Sequence, residues 1–411
     1  MNEDRLKALL REEPLPGAAE AERRGLAMVN QAYAERRAAA ARPVLPRLAV
    51  ALAAITLLAA LLLTPAGAAV RDWIGDVFTA GVRNAEPSLT EIPGGGKLLV
   101  QSARGPWVVQ ADGSRRLLGD YAEASWSPHG LFVATASGRT LSAIEPDGTP
   151  HWSVPARARV SDPRWSPSGF RIAYRAGRTL RVVRADGTRD RVVRADGTRD
   201  AAIGPASAAV APAWFPPGLH LLAYVDAKQR LVVAEADSGR TVDSAKAAPG
   251  VTGLSWSRNG GEILEIARRG AWARDVRVNK LGDGLRLGPA RRLPLPAGTA
   301  VRAAAYSPRG DELAILLERP SKTGAPRSEA LLLNPAGGPA RRLFGVSGRL
   351  TELAWSPDGR RLLLAWPAAG QWLFVPTARG TRLRAIGNVA GVFSPGTAGK
   401  ALFPRIEGWC C

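Results

Sequence analysis

From about residue 95 to residue 400 the chain alternates apolar runs of four to six residues with polar clusters rich in Gly, Pro, Ser and Asp. Phe170-Arg171-Ile172-Ala173-Tyr174, Leu180-Arg181-Val182-Val183 and Leu362-Leu363-Leu364-Ala365-Trp366 show the pattern. Runs this short, rich in aliphatic and aromatic residues and bounded by turn formers, predict strands. One unit recurs throughout, most fully as Ala354-Trp355-Ser356-Pro357-Asp358-Gly359 followed by Arg360, Arg361 and the 362–366 run. Its proline presets φ at the first turn position, its aspartate suits the second, and its glycine supplies the φ > 0 that sends the next strand back antiparallel. The aromatic before the turn is a large apolar anchor at a strand end.

Further copies place the aromatic and glycine at Trp126 and Gly130, Trp165 and Gly169, Trp214 and Gly218, Trp256 and Gly260, and Tyr306 and Gly310. A weaker seventh is Val392-Phe393-Ser394-Pro395-Gly396. The aromatics are spaced 39, 49, 42, 50, 49 and 38 residues apart, up to Phe393. Periods near 40–50 with several strands each predict the blades of an all-β propeller. After each turn comes an apolar strand, then a second strand ending in a turn such as Asp147-Gly148, then a weaker strand leading to the next aromatic. Residues 97–100, 107–109 and 116–118 look like three strands of a blade that lacks its first, and Gly391–Ser394 looks like a first strand without a blade. Joining them predicts seven four-stranded blades closed by a C-terminal strand, which removes open sheet edges. Six or eight blades stay open, since Ala401-Leu402-Phe403 could add a strand.

Residues 181–190 are repeated identically at 191–200. Removing ten residues turns that 49-residue period into 39, so the repeat reads as a tandem duplication tolerated as an extra hairpin at the rim. Either copy could fill the strand. Deleting 191–200 should leave the melting temperature unchanged, which thermal denaturation of the deleted chain would check.

The N-terminal region has a different pattern. Leu48–Val70 is 23 residues without a charge, enough to cross a bilayer. Arg36, Arg37, Arg42 and Arg47 precede it, whereas Arg71 and Arg83 beyond it are balanced by Asp72 and Asp76. The positive-inside rule then puts the N-terminus in the cytoplasm and the repeats outside. A cleaved signal peptide is the rival reading, with Ala66-Gly67-Ala68 as the cleavage site, but 47 residues before the apolar run are long for one. Residues 1–47 carry two short helical patterns, the second placing Leu26, Val29 and Tyr33 on one face as a possible dock for a cytoplasmic regulator. The expected domains are thus a partly helical cytoplasmic segment (1–47), a transmembrane helix (48–70), a juxtamembrane segment and linker (71–94), the β-propeller (95–400) and a C-terminal tail (401–411).

Composition changes this picture little. The formal net charge is +20, of which residues 1–47 hold +2 and the apolar segment none, leaving +18 beyond it. That charge would attract anionic envelope polymer or an acidic protein, although a chain whose basic residues are nearly all Arg also suggests GC-rich coding bias. Nucleic acid is not an expected partner of a domain outside the membrane. The only cysteines, Cys410 and Cys411, form neither a disulfide framework nor a zinc spacing, and read as an incidental tail or a source of intermolecular disulfides.

The Trp-Ser-Pro-x-Gly turn before an apolar strand resembles the WD-like repeat of the TolB-type propeller family. Trp355 to Gly359 match it most fully. The copies at Trp126 and Trp165 differ at the Asp position, the Trp256 copy lacks the Pro and the Trp214 copy lacks the Ser. The resemblance spans about residues 95–400 and implies an exported propeller that serves as a protein-interaction platform, in an arrangement like membrane-tethered propellers of the bacterial envelope. It carries over no catalytic residue.

No metal, nucleotide or hydrolase motif occurs, and His129, His151 and His220 are scattered. The Asp-Gly pairs read as turns rather than calcium ligands. The expected function is therefore non-catalytic, without cofactor or metal: a single-pass, extracytoplasmic platform for a protein partner or anionic polymer, with the arginines from Arg319 to Arg327 as binding candidates. The alternative is a transmembrane regulator of anti-sigma type, whose propeller senses an outside signal while residues 1–47 hold a cytoplasmic factor. A propeller enzyme with a carboxylate or Tyr/His cluster at the channel is a third reading.

Overall fold

The structure, a computed structural model, describes residues 89–184, 201–207, 210–216, 218–279, 284–310, 312–321, 324–334, 337–394 and 402–411, all within one compact unit. Residues 1–47, the 48–70 span, the Leu26-Val29-Tyr33 face and most of the 71–94 linker lie outside the described residues. Among the described residues no helix is long and apolar enough to cross a membrane.

The described residues form seven antiparallel sheets, each a blade. The first three strands, β1 (Lys97–Ser102), β2 (Gly105–Val109) and β3 (Arg115–Leu117), belong to the seventh blade. Blade 1 is β4 (Glu123–Trp126), β5 (Val133–Ser137), β6 (Thr140–Ile144) and β7 (Pro150–Pro155). Blade 2 is β8 (Val160–Trp165), β9 (Arg171–Ala176), β10 (Thr179–Arg184) and β11 (Ala201–Pro205), and blade 3 is β12 (Ala213–Trp214), β13 (Leu221–Val225), β14 (Arg230–Glu235) and β15 (Thr241–Lys246). Blade 4 is β16 (Val251–Trp256), β17 (Glu262–Ala267), β18 (Gly270–Val278) and β19 (Leu285–Leu287), with β20 (Arg291–Arg292) also paired to β18. Blade 5 is β21 (Ala300–Tyr306), β22 (Leu313–Arg319), β23 (Arg327–Leu333) and β24 (Arg341–Ser347). Blade 6 is β25 (Leu353–Trp355), β26 (Arg361–Trp366), β27 (Gln371–Pro376) and β28 (Arg384–Ile386). The last strand, β29 (Arg405–Cys410), pairs with β1 and completes blade 7.

The first strands touch one another in a closed cycle, β4 to β8, β12, β16, β21, β25, β29 and back to β4. They are therefore the inner strands around the central axis. The apolar core divides into seven clusters, each shared by two neighbouring blades. That explains why the second strands are continuous apolar runs rather than alternating ones: both faces are covered. In β26, Leu362 and Leu364 pack toward blade 5 while Leu363 packs toward blade 7.

The expected closure is corrected in one respect. Blade 7 does join one late strand to three early ones, but the late strand is β29, not Gly391–Ser394. Residues Val389–Phe393 form a short helix, α1, whose Phe393 is fully buried against Trp107 and Trp372. The strand position is filled by Trp409, which pairs with Leu98 as Trp126 pairs with Val133 and Trp165 with Ile172. Residues 401–411 are accordingly not a tail; they contribute an inner strand. Of the duplicated decapeptides, the first supplies Arg181–Arg184 to β10, and residues 185–200 lie outside the described residues.

The motif turn is built as its residues require. In the copies at Ser127, Ser166, Ser257 and Ser356, the glycine N–H donates to the serine carbonyl at 2.9–3.0 Å. In the same copies the serine hydroxyl accepts the N–H of the residue five positions on, Phe132, Arg171, Glu262 or Arg361. Gly130, Gly169, Gly218, Gly260 and Gly359 have φ between +56° and +78°; Gly310 does not share this conformation. At Gly260 a Cβ would also overlap the Phe215 ring. Gly260→Ala should therefore cost about 2 kcal/mol, from left-handed strain plus a displaced core aromatic, read as a lower denaturant midpoint.

Candidate functional site

The motif residues serve mainly to join blades. The Trp214 indole N–H donates to the Arg164 carbonyl at 2.8 Å, that of Trp256 to Ala213 at 3.1 Å and that of Trp355 to Ala305 at 2.9 Å. Each acceptor directly precedes the aromatic of the preceding blade, so the indole staples adjacent inner strands. Trp126, Trp165 and Tyr306 are placed alike but make no such bond. Asp358 accepts from the Ser356 hydroxyl at 2.6 Å and the Arg360 N–H at 3.0 Å, which is turn chemistry. Asp112 and Asp147 similarly accept the N–H groups of Ser114 and Thr149.

Two features of the assembled ring were not read from the sequence. The first is a carboxylate cluster on consecutive inner strands. Glu352, Glu407, Glu123 and Asp162 lie on β25 or its leading residue, β29, β4 and β8, two or three residues before the aromatic of each. Glu352 accepts the Ile406 N–H at 2.6 Å, and Glu123 accepts the Asp162 N–H at 2.5 Å, so carboxylates bridge neighbouring blades. Arg405 pairs with Glu407 at 2.9 Å, and Arg175 pairs with Asp162. Among the described residues no group of His, Cys, Asp and Glu is arranged to hold a metal.

Burial pushes the Glu352 carboxyl up to about 7, with nearby Glu407 adding to the effect and the Ile406 N–H and Arg405 opposing it. Burial likewise raises Glu407. In the unfolded chain Glu352 would titrate near 4.5. Between those values the folded state binds more protons, so stability falls as pH rises from about 4.5 to 7 and stays lower above it. Glu352→Gln keeps an acceptor for the Ile406 N–H but cannot ionise. It should stabilise the protein by up to about 3 kcal/mol at pH 8 relative to its effect at pH 4.5, read from paired melts at the two pH values.

The second feature is an apolar pocket of about 240 Å³ between blades 1 and 2, at the end carrying the motif turns. Phe132, Trp152 and Trp165 form its walls, with His129 and His151 at the edge. Phe132 stacks on Trp165 with ring centroids 6.3 Å apart, and lies 4.9 Å from His151. Leu131 and Phe170 line the same pocket yet are 64% and 52% exposed, two of only four large apolar side chains so exposed among the described residues. Both directly follow a motif glycine, a position the other copies do not fill with a bulky exposed apolar residue. The sequence offset alone does not mark them, because Leu219 follows Gly218 in the same way and is half-buried.

The remaining candidates are structural. His220 lies 3.5 Å from Asp237, whose carboxyl the Arg171 guanidinium holds below its usual range. Arg319 and Arg327 face each other across a hairpin, and Arg327 pairs with Glu329 at 3.1 Å. Basic side chains line other grooves, including Arg341, Arg342 and Arg379 around about 510 Å³, and Arg269 with Arg292 in a similar volume. Cys410 and Cys411 are disulfide-bonded to each other, which corrects both the incidental-tail and the intermolecular reading.

No protein-family model matches the chain, and no curated protein does. Among solved structures, the chain is similar to the β-propeller domain of Cps50 (Swd1) from Myceliophteria thermophila, with TM-score 0.54 and 17% identity over 71% of this chain and 97% of that one. KlHsv2 with loop 6CD replaced by a Gly-Ser linker gives TM-score 0.48 and 14% identity over 71% of this chain and 93% of that one. Kuenenia stuttgartiensis hydrazine synthase gives 0.45 and 13% over 62% and 75%. What this chain shares with the Swd1 domain is the fold: it is a seven-bladed β-propeller.

Proposed function

We propose that this propeller is a non-catalytic binding platform, displayed outside the cell membrane by the 48–70 segment, which takes an apolar side chain of a protein partner at its turn face. The observation that carries the reading is the Phe132/Trp152/Trp165 pocket flanked by exposed Leu131 and Phe170. A concave apolar site with bulky apolar residues left in water at its rim is built to be covered. The uncharged 23-residue run with arginines on one side supports the tether and its orientation. The motif resemblance to TolB-type propellers supports an envelope setting, and the net charge of +18 beyond the span favours acidic surroundings for the partner's anchor.

The test uses full-length protein in its native membrane with a photo-crosslinking residue at position 170. One protein should be captured, and Leu131→Asp should abolish the capture while leaving the melting temperature within a degree or two. External protease should cut the propeller and spare residues 1–47. Undiminished capture by the Leu131→Asp chain would reject the pocket, and protection of the propeller would reject the topology. The regulator reading rests on the Leu26-Val29-Tyr33 face. It gains support only if a cytoplasmic factor is captured by the full chain and lost with Leu26→Asp and Tyr33→Asp.

A further inference from the structure

The chain has two cysteines, and they bond to each other at one defined place: the junction of blade 7 with blade 1. Trp409 fills the motif-aromatic position of β29, so Cys410 stands where five of the six other blades have Ser and Cys411 where five of the six have Pro. Cys410 faces Lys97 across the β29–β1 pair. Both sulfurs lie against Gly130 of the blade 1 turn, where a Cβ would come within 2.6 Å of each. Gly96 closes over the Cys410 carbonyl, and the Trp409 indole N–H donates to Gly95 at 2.8 Å. The disulfide therefore replaces the Ser-Pro turn at the one blade where the next strand comes from a distant part of the chain. Cys411 is exposed and Cys410 half-buried, so a thiol in solution can reach the bond. Accessible disulfides are the exchangeable ones.

We propose that Cys410 and Cys411 are a redox-active pair that exchanges with low-molecular-weight thiols and disulfides, and that its oxidation state sets the local order of the ring junction. The thiolate of a small thiol attacks Sγ of Cys411. The bond between the two sulfurs breaks, a mixed disulfide forms at Cys411, and Cys410 leaves as a thiolate that takes up a proton. A second small thiolate attacks the sulfur of its own kind in that mixed disulfide and releases Cys411 as a thiol. The protein gains two electrons and two protons, and two small thiols become one small disulfide. With no other cysteine in the chain, the oxidised partner within the molecule is fixed.

The experiment equilibrates the folded full-length protein across graded ratios of reduced to oxidised dithiothreitol, traps free thiols with a maleimide and reads intact mass. A single transition between no label and two labels, independent of protein concentration, is expected. Cys410→Ser and Cys411→Ser should each carry one label throughout, with no transition. Native protein that stays unlabelled until denatured, carries two labels at every ratio, or oxidises only to a covalent dimer would overturn the redox assignment. Hydrogen exchange on the two forms of the unsubstituted protein tests the coupling. On reduction, amides of 405–410 and 127–130 should exchange about tenfold faster while blades 3–5 are unchanged. Equal exchange in both forms would overturn the effect on the junction.

Discussion

Phe393→Ala should lower the unfolding free energy by about 3–5 kcal/mol, the range for truncating a fully buried aromatic. The ring has no solvent exposure, meets Trp107 edge-on at 5.8 Å and lies 5.3 Å from Trp372. These partners belong to blades 7 and 6, so the cavity would open between them, where the ring closes. Phe170→Ala is the control. Its side chain is half in water, and its loss should shift stability by under about 0.5 kcal/mol. Urea denaturation of the two variants beside the parent chain measures both. A cost below about 1 kcal/mol for Phe393→Ala would mean that α1 is not seated in that core.

The second large effect is expected inside blade 4. Glu265 is wholly buried and Arg274 nearly so, and they pair across β17 and β18. Glu265 also accepts the Ala248 N–H at 2.6 Å, while Arg274 donates to the carbonyls of Lys246 and Gly288. The pair thus satisfies backbone groups of loops on two sides. Arg274→Ala strips the counter-charge from a carboxylate that water cannot reach, at a cost of about 3–5 kcal/mol. Replacing both by Glu265→Leu and Arg274→Met removes the stranded charge but leaves one N–H and two carbonyls unpaired. The double variant should recover part of that loss and not all of it. Chemical denaturation of the single and double variants decides. A double variant worse than Arg274→Ala would show that the backbone bonds, not the charge, dominate the site.

The legibility of this fold from sequence followed the strength of local rules. Turn chemistry at Ser356-Pro357-Asp358-Gly359 and its copies is dictated within six residues, so blade number and the composite blade could be inferred. The closing strand could not, because its signals were split. Ser394-Pro395-Gly396 has the turn residues but follows a helix, and Trp409 has the anchor but is followed by two cysteines. Local chemistry favoured the wrong one, and pairing with β1 across the whole chain decided. The carboxylate cluster was hidden for the same reason: Glu123, Asp162, Glu352 and Glu407 share a position only once the inner strands are aligned. The Glu265–Arg274 pair left a fainter trace: β17 also carries Glu262 and β18 also carries Asp275 and Arg277, so nothing in the sequence marked these two charges, nine residues apart, as the buried ones. Leu131 and Phe170 share with Leu219 the place after a motif glycine, and only the packing of Leu219 against the core between blades 3 and 4 tells it from the two that stay exposed.

The placement of β29 has a consequence for synthesis. The Trp409–Gly95 bond joins residues 314 apart in sequence. At about 5–20 residues per second, a ribosome needs roughly 15–60 s to make the stretch between them. Throughout that interval β1, whose residues from Leu98 to Ser102 are all buried in the finished ring, has no inner neighbour and presents an open apolar edge. Six blades can stack in order as they emerge, but the first strands made must wait for the last. The nascent chain is therefore most open to mispairing with another copy of itself at its earliest-made strand, and holding that edge apart is the task any folding helper of this protein would have to perform.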